Sequence, residues 1–259
     1  MEELKTVKKQ FSKLGLMFFL WTLIIYAAQL VPILIFKAVK PEWLSHPDLA
    51  IIISVLPLYL VGMPLLILLV KRVPAISIER RKMKPGAFVI AAIMCFAVMY
   101  ISNLVGNMIT NIISFLKGGA VQNVVAEMTN ETSLWVIILY MVICAPFIEE
   151  YVFRKLIVDR TVKYGQGVAV LMSGLMFGLF HGNLNQFVYA FTLGMFFAFL
   201  YVKTGNIKIT IALHMMINFV GGFLSTVLLR LIDPKEMVTA LSSPDAQVMM
   251  KYMMDNLGG

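Results

Sequence analysis

The chain has 259 residues, of which 60% are hydrophobic and only 14% charged, with a formal net charge of +8. A soluble domain carries about 25% charged residues. The deficit, with a mean hydropathy of +0.86, excludes an ordinary soluble enzyme and predicts an all-α, polytopic transmembrane helical bundle. The excess positive charge clusters beside apolar runs, at Lys5, Lys8, Lys9 and Lys13, between residues 71 and 84, and between 154 and 163. That pattern suits basic cytoplasmic loops and predicts the lipid bilayer, with no nucleic acid, as a partner.

Several apolar runs reach the roughly 20 residues that cross a bilayer. The first covers residues 16–36. It follows a basic stretch, is long and has no clear small-residue cleavage site, so it reads as a retained first helix with a cytoplasmic N-terminus. The second covers residues 49–70 and contains Pro57 and Pro64, which membrane helices tolerate where neighbours satisfy the freed carbonyls. The loop from 71 to 85 has six basic residues against one acidic and should be cytoplasmic. A third run, residues 87–115, is long enough to be tilted or broken at Gly106. A polar stretch, 117–133, holds Glu127 and Glu131 on the opposite side.

A helix from 134 to about 163 follows, with a glycine stop at Tyr164-Gly165-Gln166-Gly167. Residues 168–181, 186–202 and 207–230 form three more, and 235–259 is a polar, Met-rich tail suited to an interfacial helix. The total is about seven or eight helices in one membrane domain, 1–259. Cys95 and Cys144 form no CxxC pair and read as small packing residues. His46 lies in a loop. Gly174 and Gly178 form a GxxxG pair for close helix approach. Asn103, Asn107 and Asn111 form a polar stripe that either glues helices together or lines a cavity.

Glu149 and Glu150 stand side by side inside the apolar fourth helix. A carboxylate there is expensive and is a functional-site candidate by default. Neighbours on a helix point about 100° apart, so the two have different jobs. Glu150 precedes Arg154 by four residues, the favourable order for an ion pair, and is read as structural support. Glu149 is left as the catalytic carboxylate. Glu149 precedes Gly165 by sixteen residues and His181 follows it by sixteen, so a hairpin at Gly165 sets both at one depth. The basic helix end from Arg154 to Lys163 should project from the membrane. His214 and Asn218 share a helix face, as do Phe177 and His181. These groups are expected to converge on a water-sized polar cavity open to the cytoplasm.

The ordered set Glu149-Glu150-x-x-x-Arg154, Phe177-x-x-x-His181 and His214-x-x-x-Asn218 resembles the CPBP family, also called Abi or type II CAAX prenyl endopeptidases. His181-Gly182-Asn183, Gln186-Phe187, Gly194 and Thr204-Gly205-Asn206 resemble it too. The likeness covers residues 134–218, within a catalytic core taken as 134–231; the first half carries no such signature. The resemblance implies an intramembrane endopeptidase in which Glu149 and His181 activate water while His214 and Asn218 stabilise the oxyanion, with Glu150, Arg154 and Phe177 in support. It implies a peptide or membrane-protein substrate, prenylated for some members, and fits a multi-pass protein of a bacterial cell membrane. No cofactor is expected. The alternative is a zinc protease with Glu149, His181 and His214 as ligands, although no HExxH is present. Two other classes compete: a non-enzymatic scaffold or bacteriocin-immunity protein, and a transporter with Glu149 and His181 as a proton relay.

Overall fold

The computed structural model describes residues 2–119, 121, 129, 131–231, 247 and 250; most of the Met-rich tail and Glu127 lie outside them. Every regular element among the described residues is helical. We number the helices α1 (Glu2–Val39), α2 (Pro47–Val70), α3 (Pro85–Lys117), α4 (Leu134–Tyr164), α5 (Gln166–Phe180), α6 (Leu184–Thr204) and α7 (Ile207–Leu231). Six are long and apolar enough to cross a membrane, and α5, at 15 residues, is shorter. The chain is an integral, multi-pass membrane protein. α3 runs unbroken through Gly106 for 33 residues, so the eighth helix allowed by the sequence does not form.

The helices stand because their apolar surfaces face either one another or lipid. On α3, Ile93 and Ile101 point outward at 64% and 65% exposure, whereas Cys95 and Met99 are buried against α6 and α7. α6 lies between α5 and α3. Its contact with α5 depends on the GxxxG pair: a Cβ on Gly178 would stand 3.1 Å from the Phe187 carbonyl oxygen, and one on Gly174 would meet the α6 backbone at 2.9 Å. α1 and α2 pack on the other flank, where Phe18, Trp21, Leu66 and Val70 join Phe153 and Phe177 in a single cluster.

Three helices depart from regular winding. Wide turns occur at 58–62 in α2, at 138–144 and 151–158 in α4, and at 219–224 in α7. Two of them adjoin prolines, Pro57 and Pro146, which lack the N–H that a regular turn requires. Such bulges inside helices are frequent at functional sites, and here two of them bracket the glutamate pair.

The end of α4 is covered by the rest of the protein: Arg154, Asp159 and Arg160 are all buried. The basic loop 71–84 folds over this helix end and uses its backbone to do so. Ile76 N–H donates to the Asp159 carbonyl (2.7 Å), Arg81 N–H donates to the Thr204 carbonyl (2.7 Å), and Arg160 Nε donates to the Val70 carbonyl (3.0 Å). Lys155 and the Tyr201 hydroxyl each meet the Asp159 carboxylate at 2.8 Å. Burial is tolerated because every charge there has a partner. The turn at Gly205 fits under the loop with φ +58.

Candidate active site

α4 supplies the carboxylates. Glu150 and Arg154 form a bidentate pair, Nε to Oε2 at 2.8 Å and Nη2 to Oε1 at 2.9 Å, and both side chains are fully buried. The remaining guanidinium arm donates to Ser173 Oγ on α5 (2.8 Å), and that hydroxyl donates back to the Phe153 carbonyl (2.9 Å). The guanidinium lies 5.2 Å from the Phe177 ring centre and 5.6 Å from that of Phe197, so two aromatic faces offset part of its lost hydration. The i,i+4 ion pair expected from the sequence is therefore formed.

α7 brings His214 between the two glutamates. Its Nδ1 is 3.0 Å from Glu150 Oε1, and its Nε2 is 3.6 Å from Glu149 Oε2. A carboxylate engaged by arginine only accepts hydrogen bonds, so Nδ1 carries a proton and donates; this tautomer is assigned from the network. Nε2 can then donate only when the ring is cationic. The 3.6 Å gap is too long for a direct hydrogen bond, so both atoms keep capacity to bond a water or substrate atom beside them.

His181 follows the end of α5, where its Nδ1 lies 2.8 Å from the Phe177 carbonyl. A carbonyl accepts, so Nδ1 again donates, and Nε2 is left as the acceptor nitrogen. Phe177 holds both imidazoles edge-on, at 4.9 Å from His181 and 5.6 Å from His214. Asn218, one turn beyond His214, donates from Nδ2 to the Met141 carbonyl (2.8 Å) in the first wide turn of α4. That bond uses one of its two amide hydrogens and leaves the other.

Glu149, Phe177, His181, His214 and Asn218 line one cavity of about 820 Å³, while Glu150 and Arg154 lie outside its lining. The cavity is far larger than the water-sized space expected, since one water occupies about 30 Å³. Its lining extends from the polar residues to Trp21, Tyr26 and Leu58 of α1 and α2. Asn103 and Asn107 also line it, so that part of the asparagine stripe faces the cavity. Among the described residues, no three His, Cys, Asp or Glu side chains converge closely enough to hold a metal ion.

Sequence reasoning missed Tyr140, Tyr189 and the His214–Glu150 bond. Tyr140 precedes Glu149 by nine residues, which in a regular helix turns it about half a revolution away. The wide turn at 138–144 changes that phase and brings Tyr140 into the lining. Tyr189 lies in the second turn of α6, past the break at Gly182, without any motif to mark it. His214 and Glu150 are 64 residues apart, and no periodicity links them.

Comparison with known proteins covers the segment that holds these residues. Residues 131–220 match the family model described as Rce1-like, the type II CAAX prenyl endopeptidase Rce1-like family. Over 235 residues the chain is 27% identical to the membrane-embedded CAAX protease MroQ of Staphylococcus aureus (strain USA300), covering 85% of this chain and 92% of that protein. Over 77 residues it is 36% identical to the protein named "Putative membrane peptidase YdiL" of Bacillus subtilis (strain 168), covering 29% of this chain and 32% of that one. No solved structure matches. With the glutamate pair, both histidines and the asparagine all lying within the matched residues, the chain is similar to the type II CAAX prenyl endopeptidases in the segment that holds the site, and it is a membrane protease.

Proposed function

We propose that the chain is an intramembrane endopeptidase that works without a metal, with Glu149 as the base. Glu149 and His181 hold a water between the carboxylate and the acceptor Nε2. As its oxygen attacks the peptide carbonyl, its proton passes to Glu149. The oxyanion accepts from His214 Nε2–H and from the remaining Asn218 amide hydrogen. Glu149 then returns the proton to the leaving nitrogen as the C–N bond breaks. Glu150 holds the Nδ1 proton of His214 and so supports the cationic ring that this donation needs.

The observation that supports this reading is the 3.6 Å separation of Glu149 and His214 on the wall of a cavity large enough for a peptide. The substrate is a peptide or membrane-associated protein that enters from the cytoplasmic side. The name of MroQ favours a CAAX-like C-terminus, and the apolar wall at Trp21 and Leu58 suits a hydrophobic or prenylated end. Relatives from two bacteria support a bacterial cell membrane, and the basic N-terminal segment supports a cytoplasmic N-terminus. The purified protein in lipid nanodiscs, offered peptide libraries, should cleave a subset. Glu149→Ala should abolish cleavage with its melting temperature unchanged. Cleavage by that variant at the wild-type rate would overturn the mechanism.

A further inference from the structure

The first turn of α6 contains a hydrogen-bond chain with only one consistent direction. Asn183 caps the helix: its Oδ1 accepts from the Gln186 backbone N–H at 2.9 Å. The oxygen side of that amide is therefore assigned, and Nδ2 is the donor. It donates to the His181 carbonyl (2.9 Å) and to Gln186 Oε1 (2.5 Å). The Gln186 amide is thereby oriented in turn, and its Nε2 donates to the Tyr189 hydroxyl oxygen at 2.8 Å. A phenol has one hydrogen. Since the oxygen of Tyr189 is the acceptor in this bond, its hydrogen must point elsewhere.

Tyr189 lines the same cavity as Glu149 and His181, and its ring centre is 6.3 Å from that of His181. We infer that Tyr189 is a further donor of the active site, held by Asn183 and Gln186 so that its O–H meets the carbonyl oxygen of the scissile peptide. The need for it follows from the other donors. Asn218 has given one amide hydrogen to Met141, and Nε2 of His214 donates only from a cationic ring. Tyr189 donates while neutral and comes from a different helix, so it approaches the carbonyl from the His181 side. Gln186 touches no substrate in this scheme and is a positioning residue.

This inference rests on the endopeptidase reading above. It is tested on the full chain in nanodiscs, with a peptide that the wild-type protein cleaves, using Tyr189→Phe, Gln186→Leu and the double variant. Loss of one oriented oxyanion donor lowers kcat about 10² to 10³-fold, so Tyr189→Phe should show a fall of that order with little change in KM or melting temperature. Gln186→Leu leaves the phenol in place but free to turn, and should lose about a tenth as much. The double variant should match Tyr189→Phe alone, because Gln186 acts only through the hydroxyl. A peptidyl phosphinate, which mimics the tetrahedral state, should bind Tyr189→Phe less tightly by the same factor, whereas a ground-state peptide should not. A Tyr189→Phe enzyme with wild-type kcat, or losses that multiply in the double variant, would overturn the inference. If Glu149→Ala is inactive while Tyr189→Phe is fully active, only the Tyr189 role fails. If the wild-type protein cleaves nothing, both readings fall.

Discussion

Arg154→Leu is the sharpest probe of the layer behind the cavity. The substitution removes two hydrogen bonds to Glu150 and one to Ser173, at 2.8 to 2.9 Å, and leaves a carboxylate of 0% exposure beside the His214 ring. Removing one member of a buried ion pair typically destabilises by about 3 to 5 kcal/mol. For a chain of this size, each kcal/mol shifts the melting temperature by about 2 to 4 °C, so a loss near 4 kcal/mol lowers it by about 8 to 16 °C. A thiol-reactive dye can follow the transition once the half-buried Cys144 is replaced, because Cys95 has 0% exposure in the native state. The companion variant is Glu150→Leu combined with Arg154→Leu. Replacing a buried pair by apolar residues is often neutral or stabilising, so most of the lost stability should return. Activity should not return, because the Nδ1 proton of His214 no longer has an acceptor. An Arg154→Leu protein that melts within about 2 °C of wild type, or a double variant with most of its activity intact, would refute this account of the Glu150–Arg154 pair.

The remaining predictions are independent of one another. Enzyme stripped of metal, as verified by elemental analysis, should stay active after prolonged chelation; stoichiometric zinc whose removal and return switch activity off and on would favour the metalloprotease alternative. Gly205→Ala should destabilise the protein by about 1 to 3 kcal/mol, because φ is +58 and the added Cβ would run into the carbonyl of Glu79. Limited proteolysis should then cut loop 71–84 faster than in wild type, and an unchanged cleavage rate would argue against its docking on α6.

The helices were legible because hydropathy over some 20 residues carries the signal, and the glycine stop at Gly165 separates α4 from α5 as its position predicts. What the sequence conceals is winding phase and cover. Periodicity assumes a constant turn, so the wide turns of α4 and the entry of Tyr140 into the cavity leave no trace in the spacing. A run such as Arg154 to Lys163 looks solvated because its charges are countable and its partners are not. Asp159 pairs with Lys155 on its own helix, which spacing can suggest, but also with Tyr201 and a loop backbone far away in the chain. The motif residues were found because each is an improbable occupant of an apolar helix. Their division of labour needed three-dimensional contacts: Glu150 reaches His214, and Asn183 directs Gln186.

The succession of two carboxylates on α4 also limits how this chain can change in length. Each residue added to or removed from a helix rotates everything beyond it by about 100°. An insertion between Glu150 and Arg154 would carry the guanidinium away from its carboxylate and toward the flank where Ile148 and Tyr151 now stand. A deletion before Glu149 would present Glu150 to the cavity and swing Glu149 out of it. Lipid-facing positions such as Ile93 or Leu104 can exchange one apolar side chain for another without disturbing this phase. The segment from 145 to 160 is thus closed to insertions and deletions.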